Sequence, residues 1–165
     1  MPSSWVHYGP RYGSRIGQQA SLTLDSRQLE FLNRARVARL ATLGDDGYPH
    51  AVPVCYAHEH GNVYITVDQK PKTTHRLRRL RNIEAHPQVA LVIDHYEEDW
   101  SQLGWLMLRG RAEVLADGAE HDRAQELLRE RYRQYRPMNL TLLPVIAIRI
   151  ETTNAWGTAC DGGSA

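Results

Sequence analysis

Basic residues crowd one short stretch of the sequence, between a predicted strand and a predicted helix. They are Lys70, Lys72, His75, Arg76, Arg78, Arg79 and Arg81. A helix that begins near Thr73 or Thr74 would have a threonine N-cap, and its first turn would direct unpaired backbone N–H groups outward. An anion at that position would contact both these donors and several cations. The spacing therefore predicts a cradle for a phosphate group.

Two other interpretations of this basic stretch stay open on the residues alone. Clustered arginines and lysines often form only a solvated helix face, and a basic helix can also bind nucleic acid. Positive charges at a helix start cost about 0.3 to 1 kcal/mol each, because the helix dipole is positive there, and a bound anion would offset that cost. The formal net charge of the chain is +1, which favours a small anionic ligand over a long polyanion. We therefore expect no nucleic-acid partner.

The elements on either side of the basic stretch can be placed from periodicity. Residues 63–67 alternate between apolar and polar positions, which predicts a strand with Tyr64 and Thr66 facing outward. The helix after the basic stretch has to end before Pro87, and the apolar run 89–93 predicts the next strand. The basic stretch is thus expected to join a strand to a helix.

The rest of the chain gives a regular alternation of strands and turns. Asp25 or Ser26 can cap a helix that runs to about residue 35. Pro53 cannot donate a hydrogen bond within a sheet, so it predicts an edge or a bulge, and Gly110 predicts a bulge in a long strand. The other predicted strands are 37–43, 49–57, 105–115 and 145–150, and a further helix is predicted at 119–135.

This pattern predicts a mainly β protein with added helices (α+β), built on an antiparallel barrel of about six strands. The barrel domain should occupy residues 24–158, between an N-terminal arm at 1–23 and a loose tail at 159–165. A barrel this small is filled by side chains, so a large planar ligand has to lie on its wall. A second copy related by a two-fold axis would complete such a site, so we expect a homodimer.

Composition narrows the class of protein further. The chain has 165 residues, of which 42% are hydrophobic and 24% charged, as in ordinary single-domain proteins. Cys55 and Cys160 lie far apart without a CxxC pattern, and no apolar run has the length of a membrane span, so we expect a cytoplasmic protein without a membrane partner. The His58-Glu59-His60 cluster precedes a glycine and predicts a hairpin turn, and we expect no metal site there.

Nine short motifs, weak one by one, together carry a specific resemblance. They are 35–43 (ARVARLATL), 47–54 (GYPHAVPV), 64–66 (YIT), 68–72 (DQKPK), 80–83 (LRNI), 87–89 (PQV), 94–96 (DHY), 99–100 (DW) and 110–112 (GRA). The chain resembles the pyridoxamine 5′-phosphate oxidase-like split β-barrel superfamily, and within it the group of coenzyme F420-dependent oxidoreductases. The resemblance covers about residues 25–157 and implies an FMN-binding type of split barrel.

The resemblance also implies roles for individual positions. Val52, Pro53 and Val54 match the strand whose backbone lines the cofactor ring. Thr66 matches the strand residue near the ring and the phosphate linker, and Trp156 matches a C-terminal segment that crosses near the ring.

The phosphate clamp has two possible registers. Counted forward from the preceding strand, the clamp lysine falls at Lys72; counted back from the following strand, it falls at Arg79. The basic helix is two turns longer than in the oxidase, so both residues are candidates, with Lys70 and Arg76 beside them.

The implied activity is hydride transfer by a bound deazaflavin, coenzyme F420, to an unsaturated or conjugated small molecule. FMN is the alternative cofactor, but FMN oxidases carry an arginine at the position of Val52. The phosphodiester and acidic tail of a deazaflavin suit a long basic helix. A carrier that holds the cofactor without turnover would have the same clamp. No counterpart of the residues that bind pyridoxal phosphate is present, so the vitamin-processing activity is not implied.

Overall fold

The computed structural model describes residues 24–67 and 77–160. The helices in this part of the chain are α1 (Ser26–Arg34), α2 (Arg78–Ala85) and α3 (Ala119–Arg131). The strands are β1 (Ala38–Leu43), β2 (Pro49–Val54), β3 (Ala57–Glu59), β4 (Asn62–Thr66), β5 (Gln88–His95), β6 (Gly104–Leu115) and β7 (Val145–Gly157). None of these helices is long and apolar enough to cross a membrane.

The strands form one antiparallel sheet in the order β2-β1-β5-β6-β7-β4-β3, so the predicted mainly β architecture with helices is confirmed. The two edge strands, β2 and β3, are joined through Cys55 and Tyr56 alone, so the sheet must curl until its edges approach each other. The described residues contain seven strands rather than six, because the predicted strand 49–57 divides at this junction.

The inside of the curled sheet holds the main core. Leu40, Leu91 and Leu108 are fully buried there, on β1, β5 and β6. Part of the outer surface is covered by α3, which packs against β3, β4 and β7. This packing leaves Tyr64 only 5% and Thr66 only 4% exposed. Both side chains face the outside of the sheet, as predicted, but neither of them is exposed to solvent.

The remaining outer surface of the sheet, which we call the open face, stays exposed or half-buried in the described part of the chain. It consists of the outward-facing residues of β2, β1, β5, β6 and the second half of β7. Its members are Ala51, Pro53, Arg39, Ala41, Ala90, Val92, Asp94, Trp105, Met107, Arg109, Thr152, Asn154 and Trp156. Most of these side chains are apolar or small. Strand β7 extends seven residues beyond the predicted end at residue 150, which widens this face.

Helix starts follow the predictions at α1 but not at α2. Asp25 caps α1 in a capping box with Gln28, as predicted. The helix predicted from Thr73 or Thr74 instead begins at Arg78, because Leu77 has an extended backbone (φ −64°, ψ 138°) and serves as an N-cap without a side-chain hydrogen bond.

The predicted turn after His58-Glu59-His60 is confirmed: His60 and Gly61 both have positive φ, as a tight hairpin requires.

Two tyrosines tie α1 and α3 to the junction between the sheet edges. The Tyr132 hydroxyl accepts a hydrogen bond from the Tyr56 backbone N–H (3.0 Å) and lies 2.8 Å from the Tyr56 carbonyl oxygen. The Tyr56 hydroxyl in turn donates to the carbonyl of Leu32 at the end of α1 (2.7 Å). Both rings are buried, and burial raises the pKa of Tyr56 well above its ordinary value.

We expect Tyr132→Phe to lower the free energy of unfolding by about 1 to 3 kcal/mol, because the substitution leaves the buried N–H of Tyr56 without its partner. Urea unfolding followed by circular dichroism measures the change. Tyr48→Phe is the matched control, since Tyr48 is 72% exposed and its loss should cost less than about 0.5 kcal/mol. Equal effects of the two substitutions would contradict a structural role for the Tyr132 hydroxyl.

Candidate functional site

The first turn of α2 lies against the turn between β1 and β2, and its charges are partly compensated there. Arg78 Nη2 donates to Asp46 Oδ2 at 2.7 Å. The Tyr48 backbone N–H and the Arg78 guanidinium hold the pKa of Asp46 below its ordinary value. A groove of about 310 Å³ opens beside this pair, between the turn and Arg81 and Asn82 of α2. The first turn contains no acidic residue, so the helix dipole and the arginines add up to a positive end.

Hydrogen bonds fix α2 onto the first two strands. Asn82 Nδ2 donates to Thr42 Oγ1 at 2.9 Å, and the Thr42 hydroxyl donates to the His50 carbonyl at 3.4 Å. Asn82 and Thr42 are both buried, so this chain of contacts is shielded from solvent. It holds the positive end of α2 in a defined position relative to β2.

His50 is a candidate site residue that the sequence predictions did not single out. Burial, together with the positive charges of Arg78 and Arg79, lowers the pKa of His50 below its ordinary value. Its Nδ1 atom is buried and has no hydrogen-bond partner among the described residues. No spacing rule distinguishes this histidine from the others in the chain; only its position on β2, two residues before Val52, does so.

Thr66, the last residue of β4, carries a second polar atom of this kind. Its Oγ1 is buried and has no hydrogen-bond partner within residues 24–67 and 77–160. Its Cα pairs with that of Val145 on β7. Because alternate residues of a strand face the same side, the Thr66 side chain lies on the same surface of the sheet as Tyr64.

The three candidate ring-lining residues lie on the edge strand β2. Val54 is 7% exposed and Val52 packs against the main core, so both side chains point into the barrel. Pro53 points outward onto the open face, where its Cα pairs with that of Arg39 on β1. A ligand on this part of the wall would therefore meet the β2 backbone and the proline ring.

Trp156 lies far from these residues within one chain. It pairs with Trp105 on β6, near the end of β7, and it is 36% exposed. Four strand spacings separate β7 from β2, which corresponds to about 19 Å along the sheet. Within the described part of one chain, Trp156 is therefore not brought together with the candidate residues of β2. The remaining clamp candidates, Lys70, Lys72 and Arg76, lie outside the described residues, and Arg79 occupies the first turn of α2 beside His50.

Arg149, an outward-facing arginine on β7, has a structural partner. Its guanidinium donates to Glu120 of α3 (Nη2 to Oε2, 2.9 Å) and to Glu113 of β6. Tyr64 also donates to Glu120 at 2.8 Å, and the Arg149 hydrogen bond lowers the pKa of that carboxyl. These contacts hold α3 against the sheet.

A comparison with protein families decides the identity of the fold. The family model described as pyridoxamine 5′-phosphate oxidase matches residues 24–157. The chain belongs to the pyridoxamine 5′-phosphate oxidase family. This match covers every element described above, from α1 to β7, so the resemblance found in the short motifs is confirmed at the level of the superfamily.

Relatives of this family member include enzymes and cofactor-binding proteins. It is 30% identical over 109 residues to 5a,11a-dehydrotetracycline/5a,11a-dehydrooxytetracycline reductase of Streptomyces rimosus, covering 62% of this chain and 74% of the reductase. A FAD-binding protein of Mesorhizobium loti is 25% identical with a TM-score of 0.57, covering 77% and 89% of the two chains. A conserved hypothetical protein of Mycobacterium tuberculosis shares the fold, with a TM-score of 0.66 at 20% identity, covering 91% and 97%.

Proposed function

We propose that this protein is a homodimeric oxidoreductase that holds a deazaflavin, coenzyme F420, against the open face, with FMN as the alternative cofactor. The observation that carries the proposal is the open face itself, an exposed and largely apolar sheet surface with Pro53 at one side and Trp156 at the other. A broad planar ring can lie on such a surface without leaving buried polar groups unpaired. The reductase from Streptomyces rimosus and the FAD-binding protein support a redox cofactor.

Two buried polar atoms that lie off the open face could receive the linker and phosphate of such a cofactor. Thr66 Oγ1 can donate one hydrogen bond, and the neutral His50 ring offers one nitrogen whose partner is not among the described residues. Arg79 and its neighbours in α2 add positive charge at the same end of the barrel. This donor set is suited to an anion and does not resemble a metal site.

The separation of the implied contacts supports a homodimer. Pro53 and Trp156 are about 19 Å apart along the sheet of one chain, too far for both to contact one ring. A two-fold axis through the open face would bring the tryptophan of one protomer towards the proline of its partner. The same packing would cover the exposed apolar side chains of both copies and exclude water from the ring.

The residues of the chain then bind and orient, while the cofactor supplies the redox chemistry. When bound, a reduced deazaflavin would supply hydride-transfer chemistry towards an unsaturated or conjugated acceptor. The β2 backbone and Pro53 fix the plane of the ring, and Thr66 fixes the linker. The resemblance favours the deazaflavin over FMN at one position, because FMN oxidases carry an arginine where this chain has Val52, whose apolar side chain packs against the core.

Titration of the pure protein with F420 and with FMN, followed by fluorescence, tests the choice of cofactor. We expect micromolar or tighter binding of F420 and weaker binding of FMN. Tight FMN binding without a response to F420 would overturn the first choice. Sedimentation analysis of the same samples should give a dimer. Stopped-flow oxidation of the bound, reduced cofactor by quinones and enones then separates an enzyme from a carrier, since a carrier would not accelerate the reaction.

We expect Thr66→Val to weaken cofactor binding by roughly 2- to 13-fold without lowering stability, because its hydroxyl has no partner among the described residues and the two side chains have similar shapes. Thr42→Val is the matched control. Its hydroxyl accepts from Asn82, so that substitution should lower stability, and it should change cofactor affinity only through the position of α2. Fluorescence titration and urea unfolding measure both quantities. Loss of stability in Thr66→Val with unchanged affinity would assign the hydroxyl a structural role.

A further inference from the structure

A second groove runs along the margin of the open face, at the opposite end of β1 from α2. Its volume is about 720 Å³, within the range of sites that hold small organic molecules. The end of α1 and residues 34–37 form one wall, and the end of β5 with Glu97 and Gln102 forms the other. None of the site residues discussed above lines this groove, although Arg39 in its floor pairs with Pro53 on β2.

Positive charge predominates in this groove. Three arginines, Arg34, Arg36 and Arg39, line it against two carboxylates, Asp94 and Glu97. Glu97 lies 3.3 Å from a histidine of the same wall, and Asp94 pairs with Arg39. Within the described residues, no carboxylate lies within ion-pair distance of the other two arginines.

Two of the arginines are held in place by aromatic rings. The Arg36 guanidinium lies 4.6 Å from the ring centroid of Tyr132 and donates to the carbonyl of Arg131. The Arg34 guanidinium lies 5.5 Å from the ring centroid of Phe31. These contacts orient the positive charges without neutralising them. The apolar side chain of Val37, 41% exposed, completes the same wall.

Arg39 is the movable member of the set. Its Nη1 donates to Asp94 Oδ1 at 2.6 Å, and the two side chains are 52% and 48% exposed. Ion pairs at this exposure contribute little to stability, so Arg39 can exchange its carboxylate partner for another anion at little cost. Because Arg39 also adjoins Pro53 on the open face, an anion bound to it would lie beside the ring-lining strand.

From these contacts we infer that the groove is the acceptor subsite, and that it selects a flat organic anion whose carboxylate or enolate replaces Asp94 as the partner of Arg39. Val37 contacts the flat part of the compound, and Arg34 and Arg36 add positive charge. The inference rests on the proposed function only in calling the bound compound the acceptor; the selection for an anion stands on the groove alone. Asp94 thereby sets specificity, because it competes with the ligand for Arg39.

The test uses the cofactor-free protein and two probes with the same ring system, 2-naphthoate and 2-naphthamide, in ligand-observed NMR titrations. We expect the wild type to prefer the carboxylate at least fivefold. Arg39→Ala should abolish this preference and leave amide binding within twofold of wild type. Asp94→Asn should strengthen carboxylate binding severalfold, since the competing charge is gone. Arg123→Ala is the matched control. Arg123 lies on α3, away from the groove, is 45% exposed, and forms an ion pair with Glu59 at 2.8 Å.

Equal affinity of the two probes for the wild type would overturn the inference. A carboxylate preference that survives Arg39→Ala, or that is lost in Arg79→Ala instead, would overturn it too, because the anion would then bind elsewhere. Weaker carboxylate binding in Asp94→Asn would have the same consequence. Since no cofactor is present, failure of the F420 and FMN titrations would leave this result unaffected, and the two proposals fail separately.

Discussion

The substitution Gly110→Ala should lower the free energy of unfolding by about 3 kcal/mol or more, since it drives a methyl group into backbone. Gly110 lies at the bulge where the register between β6 and β7 shifts. A Cβ atom there would lie 1.9 Å from the carbonyl oxygen of Arg149, a distance that only movement of the β7 backbone could relieve. This strand pair is the longest in the sheet, so its distortion would spread to both the core and the open face.

Gly118→Ala provides the control for this prediction. Gly118 has a φ of 100°, so alanine is strained there, but a Cβ atom at Gly118 would meet nothing within 4 Å. Gly118 has a ψ of 172°, in a region essentially restricted to glycine, so backbone strain alone should cost roughly 1 to 3 kcal/mol. Urea unfolding of both variants separates a steric clash from conformational strain. If Gly110→Ala proves no more costly than Gly118→Ala, the bulge is softer than its geometry indicates.

The second large effect is expected at the phosphate clamp. If Lys72 and Arg79 both hold the phosphate, replacing either by alanine should weaken cofactor binding roughly tenfold to a hundredfold, because a charge-assisted hydrogen bond contributes about 1.5 to 3 kcal/mol. If only one register is used, the other substitution should be nearly silent. Arg79 is half-buried and its charge acts on His50, whereas Lys72 lies outside the described residues, so both registers stay predictions.

Arg81→Ala serves as the internal control for the clamp, because Arg81 is exposed on α2 and lies further from the helix start. Fluorescence titrations of the three single variants with F420 and FMN provide the comparison. Equal, small effects at all three positions would mean that the basic stretch is only a solvated helix face. That outcome would also remove the electrostatic support for an anionic cofactor.

Local signals predicted most of the fold correctly. The capping residue Asp25, the hairpin at His60 and the bulge at Gly110 each follow from the chemistry of one or two residues, and the structure has all three. The predicted start of α2 is wrong because a residue that caps helices well does not have to begin one: Leu77 is extended and the helix begins after it. A propensity for capping does not decide where a helix begins.

Features that depend on distant parts of the chain could not be read from local patterns. Tyr64 is buried because α3, more than fifty residues later, packs over β4. His50 is distinguished from the other histidines by the charges of α2, which lies beside it in the fold. The ion pair between Arg39 and Asp94 joins two strands that are far apart in sequence. Alternation along a strand gives the direction of a side chain, but tertiary packing decides whether that side chain meets solvent.

The prolines of β2 have a consequence for how this protein can self-associate. An unpaired sheet edge normally offers a row of N–H groups to which a strand of another molecule can add, and this is a common route to aggregation. Along β2, Pro49 and Pro53 have no N–H group, and Ala51 is the residue between them on the same side. Growth of the sheet by edge-to-edge addition is therefore blocked at this strand. Two copies that associate at this strand would therefore have to use its faces and not its edge.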